Sequence, residues 1–200
     1  MKTILGIVGS PRKGGNTDVL VSRILEGARD QGARAERISL AEFRISECDG
    51  CYACWEGKHE CSQADDMNGL YPRIAGADAI VFGTPVYWFG PTALMKCFLD
   101  RFVYFTCPAN RKKIQKKIGV LAVPFGDTAE AAADPVVEFF ARCFDTLGMR
   151  LFDKILVPGV TEPGEVRARK PVMAKCHELG RRLATEGIAG RLRKRKRSDR

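Results

Sequence analysis

The stretch from Thr3 to Thr17 constrains the fold most. The apolar run Ile4 to Val8 reads as a buried strand and stops at Gly9-Ser-Pro-Arg-Lys-Gly-Gly-Asn-Thr, after which a helical pattern begins. A strand, a small-residue loop and a helix N-terminus can wrap backbone N–H groups around a phosphate, with the helix dipole adding attraction for the anion. Two commoner phosphate signatures fail here. A P-loop needs Gly-Lys followed by Ser or Thr, but the lysine stands at position 13, ahead of Gly14, Gly15 and Asn16; Gly6 and Gly9 are too far apart for Gly-x-Gly-x-x-Gly. What remains is a hydroxyl- and amide-bearing loop, with Ser10, Asn16 and Thr17 as donors and Arg12 as a cation. An ordinary strand-to-helix turn capped by Asn16 or Thr17 is the alternative.

The same alternation continues along the chain. Ala33 to Leu40 is a mixed, charged strand suited to an edge, whereas Ala79 to Phe82 and Ile118 to Val123 are apolar throughout, as strands covered on both faces are. Leu151 to Val157 makes a fifth strand. Helical periodicities lie between them: Leu20, Ile24 and Ala28, closed by Gly32; a short helix interrupted by Gly69 and Pro72; Leu94, Phe98 and Phe102; Val136, Val137, Phe140, Phe144 and Leu147, opened by an Asp134-Pro135 cap; and Val172, Cys176, Leu179 and Leu183. Five strands alternating with five helices predict an α/β domain over residues 1–189, a parallel sheet with right-handed crossovers and helices on both faces. In the doubly wound order 2-1-3-4-5, strands one, three and four are neighbours, so the special loops that follow them gather at one sheet edge.

Composition narrows the function classes. The formal net charge is +9, but seven cations against Asp199 within residues 191–200 account for +6, leaving +3 for the rest. That run, residues 190–200, reads as a solvated, disordered basic tail rather than a nucleic-acid surface, and Arg111 to Lys117 as a solvated turn. No leader and no long apolar window is evident, so a cytoplasmic location and no membrane are expected. Eight cysteines in a reducing compartment do not suggest a disulfide framework. Cys97, Cys143 and Cys176 fall in helical patterns and are read as small core hydrophobes.

The second special loop, Thr84-Pro-Val-Tyr-Trp-Phe-Gly-Pro-Thr-Ala-Leu-Met-Lys-Cys-Phe-Leu-Asp-Arg, resembles the flavin loop of the flavodoxin-like NAD(P)H-dependent FMN reductases. Gly9-Ser-Pro-Arg-Lys-Gly-Gly-Asn-Thr is similar to their phosphate loop. The resemblance implies a three-layer flavodoxin-like fold, with FMN as cofactor and NAD(P)H as co-substrate. It assigns Ser10, Arg12, Asn16 and Thr17 to the phosphate, Pro85, Val86, Tyr87, Trp88 and Phe89 to the ring, and adds Gly126 and Asp127 of the third loop. Physical chemistry agrees, because a flat, largely apolar ring with a polar edge wants aromatic contact and a few backbone donors. Three adjacent aromatics could equally plug a core or meet another subunit. No acid or base is required of the protein, since the flavin carries the chemistry.

Cys48, Cys51, Cys54 and Cys61 stand in the long loop 45–64 with the spacing C-x2-C-x2-C-x6-C. Three thiolates two residues apart and a fourth after a turn suit a [4Fe–4S] cluster, though a ferredoxin run would have a shorter last gap and a following proline. The motif also resembles that of the iron–sulfur flavoprotein branch of the same family. Free thiols beside the flavin, zinc with His59, or a redox disulfide are the alternatives. The resemblance implies electron flow from reduced flavin to a ferredoxin-like or small-molecule acceptor, in a homodimer or homotetramer. A flavodoxin-type carrier that does not turn over nicotinamide, and a plain FMN or quinone reductase without a cluster, are the competing readings.

Overall fold

The computed structural model describes the backbone of residues 1–195 and the side chains of residues 1–186. Five parallel strands form one sheet in the order β2-β1-β3-β4-β5: β1 Thr3–Val8, β2 Arg34–Ser39, β3 Ala79–Gly83, β4 Ile118–Pro124 and β5 Arg150–Val157. This is the expected flavodoxin-like sheet, with the charged strand β2 at one edge. Alternate residues of the central strands feed opposite cores, as strand geometry requires. Leu5, Ile7, Ile80, Phe82 and Leu121 join Phe98, Phe140 and Phe144 on one face. Ile4, Val8, Val81 and Val120 join Leu20, Ile24 and Leu183 on the other.

Helix α1, Asn16–Arg29, lies on the second face against the long C-terminal helix. Its N-cap is Gly15, not Asn16 or Thr17, and no side chain caps it. The first face carries α2, Met67–Gly76, with Pro72 inside it, followed by a crossover that differs from expectation. A single helix was expected between β3 and β4, but the chain forms α3, Ala93–Asp100, α4, Val103–Thr106, and α5, Pro108–Arg111. Pro108 supplies no backbone N–H, and the residue before it, Cys107, is held at ψ 134°, so no continuous helix can pass. Helix α6, Asp134–Leu147, has Asp134 within its first turn rather than as a side-chain cap, and ends at Gly148 with φ 66°. The last helix is α7, Lys170–Arg195. Of the expected basic tail, residues 196–200 lie outside the described residues.

Two further details depart from the sequence reading. Lys117, taken as part of a solvated turn, is buried, and its ammonium donates to the carbonyls of Ala75 (2.7 Å) and Ala77. Helices α1 and α7 touch through glycine, because a Cβ on Gly27 would lie 1.9 Å from the carbonyl oxygen of His177. No helix among the described residues is long and apolar enough to cross a membrane.

Candidate functional site

At the carboxyl ends of β1, β3 and β4 the chain needs close backbone approach. Gly9 N–H donates to the carbonyl of Gly83 at 2.8 Å, joining the first two loops. A Cβ on Gly83 would sit 2.4 Å from Val21 and 2.8 Å from Thr17, so only glycine lets β3 end against α1. Two buried threonines fix the second loop. Thr92 caps α3 by accepting from Met95 N–H at 3.2 Å, its hydroxyl donates to the carbonyl of Gly9, and its own N–H donates to Thr84 Oγ1 at 3.2 Å.

A cavity of about 170 Å³ opens between these loops, and eight of the expected residues line it: Ser10, Arg12, Asn16, Thr17, Pro85, Val86, Tyr87 and Gly126. The remaining three, Trp88, Phe89 and Asp127, line an adjoining cavity of about 270 Å³, whose wall also includes Val86 and Gly126. Part of the first cavity's lining is polar: it includes Ser10, Arg12, Asn16 and Thr17, and the opening N–H groups of α1 have no partner within the helix. Pro85, Val86, Tyr87 and Phe125 supply apolar and aromatic lining. A phosphorylated, flat ring system such as FMN fits this donor set, because anion-binding N–H groups and a cation adjoin apolar walls.

Some residues serve the site differently from expectation. The side-chain amide of Asn16 donates to the carbonyl of Glu162 at 2.9 Å and accepts from Val166 N–H at 3.1 Å. Its carboxamide therefore ties the loop after β5 to the start of α1. Arg12 likewise donates to the carbonyl of Thr161 at 2.7 Å. That loop contributes Val160 and Thr161 to the cavity wall, and neither was found from sequence. The signal was present in Pro158-Gly159 and Pro163-Gly164, turn pairs at the end of the strand next to β4. Glu165 shapes the loop by accepting from the N–H groups of Thr161 and Glu162 at 3.0 Å each.

The aromatic loop is a tight hairpin. Tyr87 and Gly90 exchange backbone hydrogen bonds at 2.9 and 3.0 Å, and between them Trp88 (φ 48°) and Phe89 (φ 60°) both occupy the left-handed region. Such turns are normally made by Asn-Gly. Bulky side chains there cost about 1–2 kcal/mol each, and with Trp88 95% and Phe89 62% exposed, little burial offsets the strain. The chain holds two rings outward beside the cavity at a net cost to its own stability.

The cysteine loop sits apart, and its cavity of about 120 Å³ shares no lining residue with the first. Cys48, Cys51, Cys54 and Cys61 all line it, with Tyr71, Tyr104 and Arg101 opposite. Burial, and after it the neighbouring Cys61, raise the Cys54 thiol above its ordinary range; Cys107 and Cys48 push the same way. Cys107 is thus a fifth sulfur beside the loop, fully buried with its Sγ 3.7 Å from His59 Nδ1. Sequence spacing could not have placed it there. The residue types, four thiols in one cavity, are those a cluster uses. Their placement is not that of a formed site: among the described residues no three His, Cys, Asp or Glu side chains stand so that they could hold a metal ion.

A sequence profile of the family described as NADPH-dependent FMN reductase matches residues 2–152. An iron–sulfur flavoprotein of Archaeoglobus fulgidus is 30% identical over 184 residues, 92% of this chain and 79% of its own length. A putative NAD(P)H-dependent FMN-containing oxidoreductase of Bacillus subtilis, YwqN, is 27% identical over 180 residues, 88% of this chain and 95% of its own. Further iron–sulfur flavoproteins match over about half of this chain and half of theirs. In fold, the chain is similar to an NAD(P)H:quinone oxidoreductase from Methanothermobacter marburgensis, with a TM-score of 0.74 at 19% identity over 91% of this chain and 98% of the other. The chain belongs to the iron–sulfur flavoprotein branch of the NADPH-dependent FMN reductase family, a family of NAD(P)H-dependent flavin oxidoreductases.

Proposed function

We propose that the protein binds FMN at the strand-end cavity, takes hydride from NAD(P)H, and passes electrons through a [4Fe–4S] cluster held by Cys48, Cys51, Cys54 and Cys61. The observation that carries the flavin assignment is the juxtaposition of the open N-terminus of α1, Ser10 and Arg12 with the apolar walls Val86, Tyr87 and Phe125 in one cavity. In this reading Ser10, Arg12, Thr17 and the backbone N–H of Asn16 hold the phosphate. Pro85, Val86 and Tyr87 bound the ring, Trp88 and Phe89 shield it, and Gly126 and Asp127 face its polar edge. Bound FMN would supply hydride acceptance, and the protein's contribution is to orient the ring and exclude water.

The cluster assignment rests on four cysteines lining one cavity and on the iron–sulfur flavoproteins among the relatives. A cluster would supply one-electron transfer. The electron acceptor in this reading is a ferredoxin-like protein or a small oxidant, and the working assembly a homodimer or homotetramer. Anaerobically purified protein should show flavin absorption with a broad brown shoulder, contain iron and sulfide, and lose its flavin bands on mixing with NADPH or NADH. Flavin bands that neither nucleotide bleaches would turn the reading into a flavodoxin-type carrier, and flavin without iron would remove the cluster.

A further inference from the structure

The loop after β5 is fastened on both sides of the strand-end cavity. On one side Gly159 N–H donates to the carbonyl of Asp127 at 2.8 Å and Val160 N–H to that of Phe125 at 3.0 Å, which fixes it to the third loop. On the other side both hydrogen bonds of the Asn16 carboxamide run to it, at Glu162 and Val166. Within it, Glu165 holds Thr161 and Glu162 by their backbone N–H groups. Thr161 lies in the middle of this span and packs so near Gly126 that a Cβ on that glycine would be 3.1 Å from its methyl carbon. The backbone at Thr161, a wall residue of the cavity, is therefore set from several directions.

Its carbonyl in turn holds Arg12. Arg12 Nη1 donates to that oxygen at 2.7 Å, and among the described residues this is the only hydrogen bond or ion pair of the guanidinium. One of the five N–H donors of an arginine is thereby used, and the rest are left on a cation tethered to a neutral carbonyl rather than to a carboxylate. A solvated arginine needs no tether, and one that serves folding pairs its charge. A charge that is uncompensated yet held at a cavity wall is set up for an anion, and the planar fork suits the oxygens of a phosphate.

Resting on the phosphate reading above, we propose that Asn16 is a positioning residue for that anion. Its carboxamide fastens the loop after β5, the loop sets the Thr161 carbonyl, and the carbonyl aims Arg12 at the phosphate. Preference for a phosphomonoester over the same ring without phosphate then depends on a side chain whose own donor and acceptor are engaged by Glu162 and Val166. An arginine released from Thr161 has to be immobilised anew by each ligand, and that ordering weakens binding.

Calorimetric titration with FMN and with riboflavin tests the relay on FMN-free wild type, Asn16→Ala, Arg12→Ala and the double variant Arg12→Ala/Asn16→Ala. General damage to the cavity weakens both ligands alike, so the quantity read is the ratio of the two affinities. Wild type should favour FMN, and Asn16→Ala should reduce that preference about fivefold, the scale of ordering one long side chain. The double variant should show the same preference as Arg12→Ala, because both changes act through one guanidinium. Glu165→Ala loosens the loop from a position outside the cavity lining and takes the place of Asn16→Ala, alone and combined with Arg12→Ala, if the latter does not fold. Removing that carboxylate would by Coulomb attraction alone raise the preference for FMN, so a fall identifies the loop as the cause. A preference unchanged or raised in the loop variant, or losses that add in the double variant, would overturn the positioning role. Wild-type protein that binds FMN and riboflavin equally, or neither, would remove the phosphate reading and the relay with it.

Discussion

Trp88 and Phe89 show most directly how single residues trade stability for function in this chain. Both sit at positive φ in a two-residue hairpin and expose their rings. Replacing them by Asn-Gly, Trp88→Asn with Phe89→Gly, removes the strain without removing packing. Thermal unfolding of the apoprotein should then show a gain of about 1–3 kcal/mol, while FMN binding weakens. Asp65 gives a pH signature. Burial works against its ionisation, but hydrogen bonds from Arg101 and the Ser46 backbone outweigh burial and hold its pKa below the ordinary 3.8. The pair's contribution to stability is therefore complete above that value and is lost as pH falls through the folded-state pKa. Urea midpoints measured from neutrality into the acid range should fall more steeply for wild type than for Asp65→Asn. Among the other thiols, burial pushes Cys176 up to about 12, so alkylation of the native protein should label exposed Cys51 and spare Cys176. At this scale the sequence was legible where chemistry is local, as in Ser10 and Tyr87. It was mute where a partner lies far along the chain: Arg101 meets Asp65 from 36 residues away, and the Asn16 carboxamide meets Val166 from 150.

Among the elements, α1 and α7 depend on the absence of side chains. A methyl on Gly27 would meet the His177 carbonyl at 1.9 Å, and one on Gly180 the Ile24 carbonyl at 1.9 Å, both against backbone that cannot rotate away. Alanine favours an isolated helix over glycine by about 1 kcal/mol, but forcing the helices apart costs about 3 kcal/mol. Gly27→Ala should therefore unfold at lower temperature than wild type; an unchanged or raised melting temperature would refute the close packing. The strands were legible because β3 and β4 are buried along their whole length and must be apolar on both faces. The division of the next crossover was not, because helical periodicity from Leu94 to Phe102 continues across the break near Arg101, and only Pro108 announces the second one. The loop after β5 was missed because it carries no donor-rich signature, only turn residues whose neighbours in space decide their use.

For the molecule as a whole, the sheet order brings four loops to one edge, and the α1 N-terminus stands where those loops meet. The cysteine loop occupies a separate cavity on the α2–α4 side, so the two candidate redox sites are distinct compartments of one chain. The strands were legible because buried ones must be apolar, and their order followed from the doubly wound pattern that alternating strands and helices imply; the separation of the two compartments was not legible, since it depends on how the long loop packs. In the reading proposed above, the first loop and the start of α1 form a phosphate site for a flavin. Calorimetric titration of the FMN-free protein with FMN and with riboflavin, which differ only in that phosphate, tests it most directly. One FMN per chain, bound at least about tenfold more tightly than riboflavin (about 1.4 kcal/mol), is the expected result. Equal affinity for the two, or no binding of either, would rule out a phosphate site there.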